Sequence, residues 1–274
     1  MRHPNLLIVL LLATATYPSE LTADQPIFNE MPRWKGGWGV QLVHEYRHRP
    51  DWLAGRTVVA PGLDEEMHLM HLEGVYTWDK SIRLTAKIPY VVDAQREQLD
   101  GTGALVRQTD SGLGDITLAL PLKRYFNLDG RSGSWTLAPQ LRLPTAADDE
   151  YAIFDHQWGT GLSVGYETET YRFIGGASVG VFGLYGDDQP ESNASVDLGL
   201  NFLFKEMNGH IKWETDLLHE FDGTLSVSAG PSFYLRITDT IHTRAEWKHD
   251  FYSRHAGRDH GNDETFKFGI AFVF

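Results

Sequence analysis

The chain has 274 residues, no cysteine, and 37 acidic against 24 basic side chains, which gives a formal net charge of −13 at pH 7. The absence of cysteine excludes a disulfide framework. The missing basic tract argues against a nucleic-acid partner, because nothing in the chain would neutralise phosphates. The length allows one domain or two, and no linker-like change in composition divides the chain.

The N-terminus has the pattern of a secretory signal peptide. A basic start precedes the apolar run 6–12, and small residues allow cleavage after Ala15 or Ala23. We therefore predict a signal peptide over 1–23 and an irregular lead over 24–36. The apolar run is far shorter than the roughly 20 residues of a membrane-spanning helix, and no later stretch approaches that length. A membrane form of this chain must therefore be a closed barrel.

Twelve later segments alternate apolar and polar residues with a period of two, as strands between two different surroundings do. In chain order they run approximately over residues 37–48, 66–78, 82–90, 115–123, 135–143, 162–166, 171–181, 196–204, 210–217, 225–236, 241–251 and 265–274. In the last of them five bulky residues share one face, namely Phe266, Phe268, Ile270, Phe272 and Phe274. A terminal Phe after such alternation resembles the strand by which outer-membrane proteins are recognised for assembly.

The connections between these segments alternate between mostly short turns and mostly long loops. The predicted long loops cover 49–65, 93–111, 144–158, 185–192 and 252–263. An even strand number, short turns on the side of the termini and longer loops on the other side are typical of outer-membrane barrels. The sequence therefore predicts an all-β fold: a transmembrane antiparallel up-and-down β-barrel of about 12 strands over 37–274, in a bacterial outer membrane. A soluble periplasmic sandwich or barrel is the alternative, but its outer face would not be this uniformly apolar.

Aromatic residues and prolines add local predictions. Aromatic side chains near strand ends predict two interfacial girdles, with Trp38, Trp78, Trp135, Tyr166 and Tyr171 below and Tyr46, Tyr90, Trp158 and Phe251 above. Four prolines inside predicted strands each remove a ladder hydrogen bond, so bulges or shifted strand ends are expected at Pro89, Pro121, Pro139 and Pro231.

Three short motifs between residues 110 and 183 carry a family resemblance. They are Ser111-Gly112-Leu113-Gly114-Asp115 opening one strand, Leu143-Pro144-Thr145 closing the next and Gly159-Thr160-Gly161-Leu162 opening the one after. This segment, about a quarter of the chain, resembles a family of outer-membrane transporters associated with phenol-degradation pathways. Ala146 replaces the glycine that usually follows the Pro-Thr pair. The resemblance implies a barrel for uptake of small, often aromatic or hydrophobic compounds.

The first motif also has a direct physical interpretation. Gly112 and Gly114 permit a tight passage from loop to strand. Asp115 can then accept backbone N–H bonds there, and we favour this structural role over a role as a ligand.

The predicted strands place polar and charged side chains on the face that points away from lipid. The resulting pore-lining hypothesis comprises Arg83, Lys87, Gln140, Arg142, Arg172, Lys212, Glu214, Asp216, Arg236, Arg244, Glu246, Lys248 and Lys267. The charges are densest on two segments, 210–216 and 242–250. They can tune permeation through a polar lumen, or form a cross-strand salt-bridge network that fills a small barrel and fixes its register.

An enzymatic barrel is an alternative to a channel. A serine hydrolase on a strand face needs His and Ser two residues apart, and none of the 12 histidines is followed by Ser at that spacing. His156 beside Asp155, and the loop residues His255, Asp259, His260 and Asp263, can bind a divalent ion or form solvated surface and contacts to lipopolysaccharide. The apolar loop 52–61 can enter the mouth and catch a hydrophobic solute, or rest among lipid headgroups.

The sequence thus predicts an outer-membrane channel or passive transporter for small hydrophobic or aromatic molecules, with no cofactor, no metal and no chemical step. The expected partners are outer-membrane lipid and lipopolysaccharide, the solute, and the outer-membrane assembly machinery. The alternatives are a lipid-modifying barrel enzyme and a structural or adhesive barrel with a plugged lumen.

Overall fold

The computed structural model describes residues 34, 36–54, 57–99, 105–128, 131–146, 154, 156–185, 190–204, 207–219, 225–255, 258–259 and 263–274. The predicted signal peptide lies outside these residues, and so does the lead up to residue 33. Within the described parts of the chain, no helix is long and apolar enough to cross a membrane.

The described chain is built of β-strands in one antiparallel sheet. The strands are β1 Gly37–Ala54, β2 Thr57–Asp79, β3 Ile82–Leu99, β4 Leu105–Leu113, β5 Ile116–Ala119, β6 Leu122–Leu128, β7 Arg131–Leu143, β8 Gly159–Glu169, β9 Phe173–Leu184, β10 Glu191–Phe204, β11 Met207–His219, β12 Leu225–Arg236, β13 Ile241–His255, β14 Arg258–Asp259 and β15 Glu264–Val273. Because β4, β5 and β6 follow one another along a single position in the wall, and β14 only extends the rim beside β13, the wall has twelve positions.

The sheet closes on itself, which confirms the predicted barrel. Strand β1 pairs with β15 from Gly39↔Val273 to His48↔Glu264, and β12 pairs with β13. The closure continues to the C-terminus, where Trp38 and Phe274 exchange two backbone hydrogen bonds of 3.0 Å. A closed wall satisfies the backbone of every strand with a neighbour, as a lipid environment requires.

Two predicted loops are strands, so the loop assignments to 49–65 and 93–111 were wrong. Strand β1 continues to Ala54 and pairs with β2 from Thr57 onward, with register shifts beside Asp51 and Trp52. Strand β3 likewise continues to Leu99 and pairs with β4. These hairpins extend past the upper aromatic girdle, outside the lipid. Their outward residues therefore need not be apolar there. The period-two pattern therefore fades while strand pairing continues.

The prolines coincide with irregularities in the wall. Pro121 lies between β5 and β6, and Pro139 faces that same break, since β7 pairs with β5 at Gln140 and with β6 at Leu137. Pro89 faces the break between β4 and β5, where its carbonyl accepts a bond from Gly114 N at 2.9 Å. Strand ends are thus shifted at three of the four sites.

Pro231 behaves differently from the other prolines. The β12–β13 ladder skips Gly230 and Pro231 without changing register, and the bulge lies at Val227 and Ser228 instead. A missing N–H is therefore tolerated here by omitting a bridge, without an inserted residue.

The outer face of the wall is apolar. Large side chains such as Leu198 (70% exposed) and Phe268 (61%) stand outward in the middle of their strands. Aromatic residues of both predicted girdles are also exposed, among them Trp38, Trp135, Tyr90 and Phe251. An apolar band between two aromatic belts is the lipid-facing surface of an outer-membrane barrel.

This orientation predicts the effect of a charge on the lipid face. Leu198→Arg near the middle of β10 is expected to destabilise the folded barrel by about 2–4 kcal/mol, because the guanidinium lies in hydrocarbon. Tyr171→Arg in the exposed turn before β9 serves as the control and should have little effect, since Tyr171 is 84% exposed outside the strands. Urea unfolding in lipid vesicles measures both variants, and equal stabilities would contradict the orientation.

Candidate functional site: the barrel interior

The inner face of the wall is lined largely by buried polar and charged side chains. They alternate with the outward apolar residues, so the pairing of neighbouring strands gathers them inside. Those less than 9% exposed include Gln41, Glu45, His71, Glu73, Arg83, Lys87, Arg142, Lys212, Glu214, Arg244 and Glu246. Ionised groups this deeply buried must be paired or hydrogen-bonded to be tolerated.

One ionic network, defined here as Glu214, Asp216, Arg244, Glu246 and Lys248, joins β11 to β13 across β12. Arg244 Nη2 lies 2.6 and 2.7 Å from the two carboxylate oxygens of Glu214 and 2.7 Å from Glu246. Lys248 Nζ lies 2.6 Å from Asp216 and 2.9 Å from Glu246. The predicted cross-strand salt bridges are therefore present, and they stabilise the packing of this side of the interior.

A second set of polar contacts continues around the wall through β15, β1 and β2. Glu45 accepts from His71 Nε2 at 3.0 Å and lies 3.5 Å from Lys267 Nζ. Gln41 donates to Glu73 at 2.5 Å on the neighbouring strand. The mixed signs of charge fit the expectation that the interior is polar without being strongly basic.

Most of the predicted pore-lining residues face the interior. Arg83, Lys87, Arg142, Lys212, Glu214, Arg244 and Glu246 are buried there, and Gln140, Asp216, Arg236, Lys248 and Lys267 lie at inward positions while remaining partly exposed. Arg172 is a correction: it lies in the exposed turn between β8 and β9, because β9 begins at Phe173 and not at Tyr171.

An apolar recess interrupts this polar interior toward the extracellular ends of β2 and β3. We define the apolar recess as Met67, Leu69, Val91 and Ala94, each no more than 2% exposed. The side chain of Phe154, which comes from the segment between β7 and β8, packs against it. A ring from a predicted loop therefore lies inside the barrel.

Asp115 fixes the segment that carries Phe154. Its Oδ1 accepts backbone N–H bonds from Thr145 and Ala146 at 3.0 Å each, and its Oδ2 accepts one from His156 at 3.1 Å. The predicted structural role of Asp115 is thus confirmed, and we call this arrangement the Asp115 anchor. It pins both ends of the segment 145–156 to the inner wall.

Two of the three motifs that carry the family resemblance, those at 111–115 and 143–145, contact each other at this anchor. Thr145 Oγ1 donates to the carbonyl of Gly114 at 2.8 Å and accepts from Ile116 N at 3.0 Å. Gly112 has a positive φ of 140°, and a Cβ on Gly114 would lie 2.3 Å from the ring of Phe154. The spacing of these motifs is therefore explained by one local structure.

The sequence did not reveal the apolar recess or a second apolar patch on the opposite wall. That patch contains the buried Phe182 and Leu184, with Leu218 packed against them. The guanidinium of Arg142 lies 4.7 Å from the ring centre of Phe182. The available signal was the run of apolar residues on both faces, as in Val181-Phe182 and Val91-Val92, which alternation alone does not assign.

At the periplasmic end, the described part of the lead lies inside the wall. Trp34 packs against the cluster of Val75, Tyr234 and Ala271. The guanidinium of Arg83 lies 4.3 Å from the centre of the Trp34 ring, a cation–π geometry. The lead therefore begins β1 from within the barrel mouth.

The proposed ion-binding loops are only partly within the described chain. His156 donates its backbone N–H to the Asp115 anchor, and Asp263 forms an ion pair with Arg49 at the extracellular rim. Asp155 and His260, and the side chains of His255 and Asp259, lie outside the described part, as do the side chains of 52–61. Among the residues that the structure does describe, no group of three potential ligands could hold a metal ion.

These features define the class of protein. A closed twelve-stranded antiparallel barrel with an apolar, aromatic-belted outside and a charged inside is a bacterial outer-membrane β-barrel.

Comparison with solved structures agrees with this class. The chain is similar to the COG4313 outer membrane channel from Pseudomonas putida F1, with 13% identity, a TM-score of 0.69, and coverage of 90% of this chain and 98% of that one. It is also similar to the NanC porin, with 9% identity, a TM-score of 0.50, and coverage of 86% and 100%. At such identities the similarity shows the fold. No model of a known protein family matches the chain, and none of the curated proteins matches it. The resemblance to the phenol-degradation family is therefore not confirmed.

Proposed function

We propose that this protein is a channel or passive transporter for small, hydrophobic or aromatic molecules in the outer membrane. The observation that carries the proposal is the apolar recess inside a barrel whose interior is lined largely by polar and charged side chains. The four buried apolar side chains of the recess face inward and offer a hydrophobic solute a contact that the charged parts of the interior do not. Burial of apolar area is the main source of affinity for a hydrophobic solute.

Two further observations support the proposal. The motif resemblance implies a family associated with phenol degradation, and the fold is shared with a protein described as an outer membrane channel. In this proposal the protein needs no cofactor, performs no chemical step, and has lipid, lipopolysaccharide and the solute as its partners.

A second candidate is a structural barrel with a plugged lumen. It is favoured by the ionic network and by the near-complete burial of Gln41 (0%), Glu45 (0%) and Arg83 (1%), because side chains that fill a lumen cover one another. The two candidates make opposite predictions for flux, because a plugged barrel conducts neither ions nor solutes.

Uptake by cells tests the proposal, since lipopolysaccharide slows hydrophobic compounds that cross bare lipid freely. In a Gram-negative host without its own aromatic channels, expression should raise the initial uptake of radiolabelled toluene or phenol several-fold over an empty vector. A disaccharide should gain much less. Planar-bilayer conductance of the purified protein then separates the open from the plugged barrel. Uptake equal to the empty vector for every solute, with no conductance, would remove the proposal.

A further inference from the structure

The apolar recess already holds an aromatic ring. Phe154 is not part of the wall: it belongs to the segment between β7 and β8, and it reaches back to pack against residues of β2 and β3. The ring is only partly buried, whereas the four residues of the recess are almost fully covered. The residues of the recess therefore belong to the fixed barrel wall. Rotation of the Phe154 side chain would move its ring away from them.

The wall is shaped for a flat ring at this point. Gly114 leaves the backbone bare, and a Cβ there would lie 2.3 and 2.4 Å from two carbon atoms of the Phe154 ring. The ring thus lies against the main chain of Gly114 and packs against the apolar side chains of the recess. The side chains of the recess offer no charged or hydrogen-bonding group, so a charged ligand would lose its hydration without compensation.

We propose that the apolar recess is a binding site for an uncharged, benzene-sized ring, and that Phe154 occupies it when no solute is present. This inference rests on the proposed function and names the ligand class of its binding step. The Asp115 anchor holds the segment at residues 145, 146 and 156, so the ring of Phe154 is tethered beside its site. A tethered group competes at a high effective concentration, in the millimolar range for short linkers.

Removal of the tethered ring should open the site. Cavities of about 150 Å³ lined by Leu, Ile and Phe stay dry and bind benzene. Phe154→Ala removes one phenyl group and leaves the recess, Gly114 and the Asp115 anchor unchanged. Toluene should therefore bind the variant, and the wild type should need at least about tenfold more toluene because Phe154 competes for the same place.

Methionine methyl groups report this binding without any measurement of flux. The chain has five methionines, and Met67 lines the recess at 2% exposure. Met70, three residues further along β2, lies on the outward, lipid-facing side and pairs with Tyr90. The full-length protein is labelled with ¹³C-methyl methionine and studied by NMR in micelles. Toluene dissolved in the detergent changes the chemical shift of the Met70 methyl, whereas toluene in the recess changes that of the Met67 methyl.

The experiment is a toluene titration of Phe154→Ala, with benzoate as the charged probe and Phe268→Ala as the control that removes a lipid-facing ring. We expect a saturable shift of the Met67 methyl in Phe154→Ala, a right-shifted response in the wild type and in Phe268→Ala, and no saturable shift with benzoate. Folding is checked by heat-modified migration on gels. If Phe154→Ala does not fold, Phe154→Val opens a smaller site for the same titration.

The outcomes separate this inference from the proposed function. A Met67 response that is absent, unsaturable or equal to that of Met70 overturns the binding site, even if cells take up toluene. A saturable Met67 response without uptake supports the site and removes transport.

Discussion

Asp115→Ala is expected to destabilise the barrel by about 1–3 kcal/mol and to increase its single-channel conductance. The carboxylate is buried and accepts three backbone N–H bonds, from Thr145, Ala146 and His156. Ala146 is buried, and a buried donor left without an acceptor costs about 1–3 kcal/mol, whereas the N–H of Thr145 keeps a bond to the carbonyl of Leu143. Release of the segment also removes Phe154 from the interior, so less of the lumen is filled. Urea unfolding and planar-bilayer recordings measure the two effects.

Asp115→Asn is the matched control, because it should lose fewer of these hydrogen bonds than Asp115→Ala and therefore destabilise the barrel less. Oδ1 serves Thr145 and Ala146, so the amide oxygen of Asn can keep both bonds and only the bond from His156 is lost. Because His156 is exposed, the loss should be about 1 kcal/mol or less, with conductance close to that of the wild type. Equal effects of Asn and Ala, or an unchanged conductance in the Ala variant, would contradict the anchor.

Arg244→Met should destabilise the barrel by about 3–5 kcal/mol, the cost of leaving buried charges without a partner. Arg244 contacts both oxygens of Glu214 and one of Glu246, whose side chain is 1% exposed. After the substitution, Glu214 and Glu246 lose their contacts with Arg244 and keep those with Lys248. Methionine keeps most of the volume, so the loss reports charge and hydrogen bonding more than a cavity.

A double-mutant cycle with Glu214→Gln isolates this interaction. Removing the two groups together should cost less than the sum of the single losses, because each single variant leaves an unbalanced charge that the double variant lacks. Asp239→Asn gives the comparison at the surface, where Asp239 pairs with Arg236 but is 85% exposed, and it should change little. Additive losses in the cycle would show that the ionic network does not act as a unit.

The fold was predictable because lipid imposes a strict rule on the sequence. Within the apolar band each outward residue must be apolar, so alternation marks the strands, as between Phe266 and Phe274. Beyond the girdles the rule ends, and the hairpin between β1 and β2 could not be recognised from its sequence.

The interior was only half predictable for a related reason. Charged residues at inward positions, such as Arg244, stand out against their apolar neighbours. Met67 and Phe182 do not, because an apolar residue inside looks the same as one outside. The contact of Phe154 with the recess joins chain segments far apart in sequence, and no local pattern encodes it. Asp115 was recognisable because its motif requires a backbone acceptor beside two glycines.

The assignment of inside and outside supports every proposal made above, and nitroxide scanning tests it directly. The chain has no native cysteine, so single cysteines at 193, 194, 195 and 196 on β10 label uniquely. Ser195 faces inward, where its hydroxyl lies 2.7 Å from that of Ser178, and Val196 is 53% exposed outward. In lipid vesicles, labels at 194 and 196 should collide mainly with oxygen, and those at 193 and 195 with a water-soluble nickel chelate. Equal accessibility at all four positions, or the reverse alternation, would contradict the account.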